Sequence, residues 1–237
     1  MKRKIIIKNQ TVLYKKTALL IKKISNAAVK QKGFSTIALS GGKTPVELFK
    51  TLSSPFFSKK IQWNKIHFFQ VDERIVPADD KRRNFKTINE YLFKPLKINT
   101  ENVHFPDKDL SYTFKAVINY ENKIKKFFKE KQINGFDIII LGIGEDGHTA
   151  SLFPEDKKSL SINNKMIIQT NPSFVKPKVK RITFTMNIIN SSNYVIFLVT
   201  GENKKNIIKE VINGNPAYPA SSVHPDKKLY FSYDQKI

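Results

Sequence analysis

The 237-residue chain has no cysteine, a single tryptophan and only nine glycines. Without cysteine it can form no disulfide, no thiolate metal site and no cysteine nucleophile, a composition compatible with the cytosol. Long apolar runs are missing as well. The longest, 138–143, contains Gly142 and falls far short of the ~20 residues of a membrane span. The basic start MKRKIIIKN has no sustained apolar stretch and no small-residue cleavage site, so no signal peptide is expected and the expected location is cytoplasmic. Arginine is scarce. Of the 42 basic residues, 37 are lysine and five are arginine (Arg3, Arg74, Arg82, Arg83 and Arg181). Acidic residues number only 20, giving a net charge of +22 and a pI near 9.9. Such a balance raises nucleic-acid binding, yet base readout and bidentate phosphate grip favour arginine. The lysines are also spread along the chain with no basic block or tail. No specific nucleic-acid partner is therefore expected, although the field can speed capture of a small anion.

What is present is a chain able to bury a core, with 40% hydrophobic and 11% aromatic residues. Short apolar runs alternate with helical periodicity. Strands are expected at 4–7, 34–39, 66–71, 137–141, 193–199 and 228–232. Helices are expected at 11–32, stopped by Gly33, and at 111–131 and 203–212. Continuous apolar strands between helices indicate an α/β fold with a mainly parallel sheet and helices on both faces, a three-layer arrangement. One domain covering 1–237 is expected, with 171–180, which carries Pro172 and Pro177, as an internal loop. Ligands of such sheets gather beyond the carboxyl ends of the strands. Four segments put small or polar residues there: 40–44, 72–74, 142–149 and 200–204.

Ser40-Gly41-Gly42-Lys43-Thr44-Pro45 joins a strand to a helix, and free N–H groups at such a turn suit phosphate. Thr44 and Glu47 have capping-box spacing, and Pro45 suits the first helical position. Gly142, Gly144 and Gly147 match GxGxxG, but Pro154 follows too soon for a helix, and 159–170 holds no carboxylate for a ribose. No dinucleotide site is expected. Within the same stretch Asp146 and His148 stand two apart, a carboxylate able to orient an imidazole for proton transfer. His67, His104 and His224 show no metal-ligand spacing and there is no HExxH, so no metal is expected. The absence of GxSxG leaves a nucleophilic serine unsupported. Asp72-Glu73-Arg74 follows a strand and could form a charged site, a solvated turn or a structural ion pair. Arg181 and Lys204 could each hold phosphate oxygens or be surface charges.

The ordered segments SGGKTP (40–45), VDERIVP (71–77), LGIGEDGHTASLFP (141–154), RITFT (181–185) and TGENKK (200–205) together resemble the 6-phosphogluconolactonase family. The resemblance implies the fold shared with glucosamine-6-phosphate deaminase and ribose-5-phosphate isomerase. It implies hydrolysis of 6-phospho-D-glucono-1,5-lactone to 6-phosphogluconate, the second step of the oxidative pentose phosphate pathway, without metal or organic cofactor. The implied partner is a phosphorylated sugar lactone, and the chain would be a monomer or small homo-oligomer. By matching positions, His148 would be the general base, Asp146 and Asp72 supporting acids, and Arg74 a ligand for substrate or developing charge. Ser40, Gly41, Gly42, Lys43, Thr44, Asn84, Arg181 and Lys204 would bind substrate. The family commonly has Ser-Asn where this chain has Arg83-Asn84, so Arg83 is expected either to point to solvent or to adjust the mouth of the site. The rival readings are a glucosamine-6-phosphate deaminase-like enzyme or other sugar-phosphate isomerase on this fold, and a non-catalytic sugar-phosphate-binding protein.

Overall fold

A computed structural model describes residues 3–7, 9–107, 109–110, 112–172 and 178–234, with residues 3–7 described as backbone only. The strands in chain order are β1 (Arg3–Ile7), β2 (Ser35–Leu39), β3 (Ile66–Gln70), β4 (Asp72–Arg74), β5 (Val103–His104), β6 (Ile138–Leu141), β7 (Ile167–Thr170), β8 (Arg181–Phe184), β9 (Tyr194–Val199) and β10 (Lys228–Tyr233). Seven of them form one sheet in the order β1-β10-β9-β6-β2-β3-β5, and every pairing in it is parallel. The α/β class and parallel sheet expected from the apolar runs are what the chain adopts.

Successive side chains on a strand face opposite ways, and the two cores follow that alternation. Ala38, Phe69, Ile139, Val195 and Phe197 pack on one side, with Tyr120, Ile124 and Phe128 of the Thr113–Lys131 helix and Ile208 of the Lys205–Ile212 helix. Ile37, Leu39, Phe68, Ile138, Ile140 and Ile196 pack on the other, with Leu13 and Ile21 of the Gln10–Lys32 helix and Leu48 and Phe49 of the Pro45–Leu52 helix. Burial on both faces is why these strands read as unbroken apolar runs rather than alternating ones.

Helix ends are set locally. Asn9 accepts the Val12 N–H through its side chain and starts the Gln10–Lys32 helix. Gly33 stops it at φ +83°, donating its N–H to the Val29 carbonyl. The capping box expected from Thr44 and Glu47 does not form. Thr44 is already helical and makes no side-chain cap bond, while Glu47 pairs with Lys50 at 2.7 Å. The expected helix start at Ser111, and residues 173–177 of the 171–180 loop, including Pro177, lie outside the described residues.

From β2 the chain steps one way, to β3 and β5, and from β6 it steps the other way, to β9 and β10. A crevice therefore opens between the carboxyl ends of the neighbouring β2 and β6, where ligands of open α/β sheets bind. Beside it lies a feature the sequence reading did not contain: a small antiparallel sheet, β4-β8-β7.

Candidate active site

The crevice is an open cleft of ≈ 230 Å³. Ser40 and Gly41 enter it from the end of β2, Asp72 and Arg74 from β4, and His148 from the loop after β6. Asn84, Arg181 and Lys204 complete its polar lining. Eight of the twelve site residues expected from the sequence therefore share one cleft. Asp146 stands behind His148. Gly42, Lys43 and Thr44 do not line the cleft, and Lys43 is exposed.

His148 and Asp146 are 27% and 29% exposed at their side chains. Nδ1 of His148 lies 2.5 Å from Oδ1 of Asp146, which also accepts the His148 backbone N–H at 3.1 Å. Burial raises the Asp146 carboxyl, but the hydrogen bonds and charge of His148 outweigh it and hold the group below the ordinary carboxylate value. An ionised Asp146 can only accept, so Nδ1 carries the proton and the neutral ring keeps its lone pair on Nε2. The ring lies on Gly144, where any Cβ would collide with it. Of the three glycines in GxGxxG-like spacing, Gly144 is thus the one that packs against the imidazole, while Gly147, at φ +77°, lies against Tyr218. No dinucleotide-type helix follows, since the next helix is the four-residue Lys157–Leu160.

Sequence reasoning missed two side chains here, both inside the LFP-containing stretch that carried the resemblance. Phe153 is fully buried, with its ring 4.5 Å from the His148 ring and the Arg181 guanidinium 5.2 Å over it. It spaces the imidazole from the guanidinium. Ser151, also fully buried, donates to Asp72 Oδ2 at 2.8 Å. Asn84 donates to the Asp72 carbonyl at 2.9 Å and lies against Gly41, which has no room for a side chain.

The small sheet explains how the cations meet. In the β4–β8 register Arg74 is directly opposite Arg181, so both side chains project from the same face into the cleft. Like charges opposite each other are destabilising, a cost that the oxygens of an anionic ligand in the cleft would relieve. Burial lowers the Arg181 pKa, Asp72 opposes that shift and Arg74 adds to it. Lys204, half-buried at the turn before the Lys205–Ile212 helix, is likewise lowered by burial and raised by Glu145 and Asp146. Four buried polar atoms of cleft residues have no protein partner: Ser40 Oγ, Arg74 Nε, Asn84 Oδ1 and Arg181 Nε. Unpaired buried polar atoms are costly, and their concentration here suits a ligand rich in oxygen.

Arg83 does not point to solvent. It is 4% exposed, donates to the Arg74 carbonyl at 3.4 Å, and lines a second cleft of ≈ 310 Å³ with Glu73, Phe85 and Phe105. His67 and His104, far apart in the sequence, meet on the adjacent β3 and β5 with Nδ1 and Nε2 3.0 Å apart. Among the described residues no group of three or more His, Asp or Glu is placed to hold a metal ion, and no helix is long and apolar enough to cross a membrane.

Comparison with known proteins gives a consistent result. The chain is 40% identical over 194 residues to the 6-phosphogluconolactonase of Thermotoga maritima, covering 81% of this chain and 80% of that one. It is 34% identical over 235 residues to the 6-phosphogluconolactonase of a Nostoc species, covering 97% and 94%. The crystal structure of the Thermotoga maritima 6-phosphogluconolactonase superposes with a TM-score of 0.85 and 33% identity, covering 99% of this chain and all of that one. A family model described as "Glucosamine-6-phosphate isomerases/6-phosphogluconolactonase" matches residues 8–231. The chain therefore belongs to the glucosamine-6-phosphate isomerase/6-phosphogluconolactonase family.

Proposed function

We propose that this chain hydrolyses 6-phospho-D-glucono-1,5-lactone to 6-phosphogluconate, the second step of the oxidative pentose phosphate pathway, in a cytoplasmic setting. The Thermotoga maritima and Nostoc relatives carry the name 6-phosphogluconolactonase. One observation carries the mechanistic reading. An imidazole whose Nδ1 is engaged by a carboxylate shares a cleft with Arg74, Arg181 and Lys204.

A six-membered lactone is reactive enough to need no covalent intermediate. Nε2 of His148 takes a proton from water as the water oxygen attacks C1, a role worth about 10²–10⁴ in rate. Arg74 stabilises the tetrahedral oxyanion, on the order of 3 kcal/mol for a well-placed donor. The imidazolium then returns its proton to the ring oxygen as the C1–O bond breaks. Asp72, held by Ser151 and Asn84, supports the cationic side of the cleft. The 6-phosphate does not react. Ser40, Gly41, Arg181 and Lys204 grip it and hold C1 beside the base, so remote binding energy serves orientation.

The test is turnover of freshly made 6-phosphogluconolactone, corrected for spontaneous opening, in parallel with ammonia release from glucosamine 6-phosphate. Lactone hydrolysis without ammonia is expected. Ammonia release without lactone hydrolysis would move the chain to the deaminase side of its family.

A further inference from the structure

Glu73 takes no part in the chemistry above, yet it is 1% exposed and ionisable. It sits between Asp72 and Arg74 on β4, so its side chain projects from the opposite face of the strand, away from the cleft. Its carboxylate accepts four hydrogen bonds. Oε1 takes the backbone N–H groups of Arg74 at 2.7 Å and Asn84 at 2.8 Å. Oε2 takes the Phe85 N–H at 2.9 Å and Gln70 Nε2 at 2.9 Å. Gln70 is itself held at its backbone by the buried Tyr120 hydroxyl.

Three features set this apart from an ordinary buried carboxylate. The Asn84–Ile88 helix opens without a side-chain cap from its own N-cap residue, Arg83, although the flanking residue usually supplies one. Its first two N–H groups are satisfied instead by a side chain eleven residues back, on the strand that presents Asp72 and Arg74. The same helix returns the connection, because the Asn84 side chain donates to the Asp72 carbonyl. The result is a closed ring, Asp72–Glu73–Arg74 to Asn84 and back, with the carboxyl group of Glu73 at its centre. Finally, Asn84 rests on Gly41 of the turn that borders the cleft.

We infer that Glu73 is a positioning residue for the reaction: by accepting the N–H groups of Arg74, Asn84 and Phe85, it fixes Arg74 and Asn84 relative to one another in the cleft. The inference rests on the lactonase reading above and adds to it a residue that touches no substrate. A misplacement of about 1 Å costs up to about 10² in rate, so the ring sets how well Arg74 meets the oxyanion. An amide cannot replace the carboxylate, since its NH₂ would face N–H donors.

The decisive variant is Glu73→Gln in the full chain, assayed well below its own melting temperature. The expected kcat falls at least about tenfold, while competitive inhibition by inorganic phosphate stays within about twofold, because neither Arg181 nor Lys204 touches Glu73. Glu73→Gln and Asn84→Ala combined should cost less than the two separately, as expected for groups acting through one network. A variant that melts earlier but turns over at the wild-type rate overturns the inference and leaves Glu73 a structural residue. If Glu73→Gln does not fold, Gln70→Met decides, since it removes one of the four donors. A kcat several-fold lower supports the inference, and an unchanged kcat overturns it. Wild-type protein without lactonase activity would instead overturn the functional reading beneath, and this inference with it.

Discussion

Asp146 Oδ1 and His148 Nδ1 lie 2.5 Å apart across one turn, and the same oxygen accepts the His148 backbone N–H. The carboxylate therefore fixes both the tautomer and the direction of the ring. Asp146→Asn keeps the shape but replaces an obligate acceptor with a group that can also donate. Steady-state kinetics of this variant should show kcat lowered at least about tenfold with KM little changed. An unchanged kcat would remove Asp146 from the orienting role.

Arg181 faces Arg74 across the β4–β8 pair, and Lys204 enters the cleft from the turn after β9. Arg181→Ala and Lys204→Ala should each raise KM for the phosphorylated lactone at least about tenfold, since charge-assisted bonds to phosphate are lost. Hydrolysis of the unphosphorylated lactone should change little. Equal losses on both substrates would place these cations elsewhere in the reaction.

His67 and His104 carry a different expectation, about stability. Burial lowers both pKa values to about 4, with Lys131 adding to the shift at His67, and His67, Lys123 and Lys131 adding to it at His104. An unfolded histidine titrates near 6.5, so below that pH the unfolded chain binds more protons than the folded one. The stability held by this pair is complete above about pH 6.5, falls as pH drops, and is lost by about pH 4. Melting temperatures measured across this window should fall less steeply for His67→Phe than for the wild-type chain. Parallel slopes would contradict this.

Much of the fold was legible because its signals are local. β6 and β9 are runs of apolar residues, β2 is buried along its whole length, and Gly33 ends a helix by its own backbone. The cleft was legible where a single turn holds its groups together, as with Asp146 and His148. What escaped depends on long-range pairing. β4 and β8 are three and four residues long and more than a hundred positions apart in the chain. No periodicity marks such strands, so the meeting of Arg74 with Arg181 could not be seen. The Thr44–Glu47 spacing suggested a capping box, but Lys50 lies one turn along and takes the carboxylate. Arg83 is buried because the cleft it lines exists only once β4 and the Asn84–Ile88 helix are in place.

In the proposed reaction Nε2 of His148 takes the proton from the attacking water. His148→Ala, assayed for hydrolysis of fresh 6-phosphogluconolactone with correction for spontaneous opening, tests it most directly. The kcat should fall at least about 10²-fold, with inhibition by inorganic phosphate retained. Turnover close to the wild-type rate would contradict it.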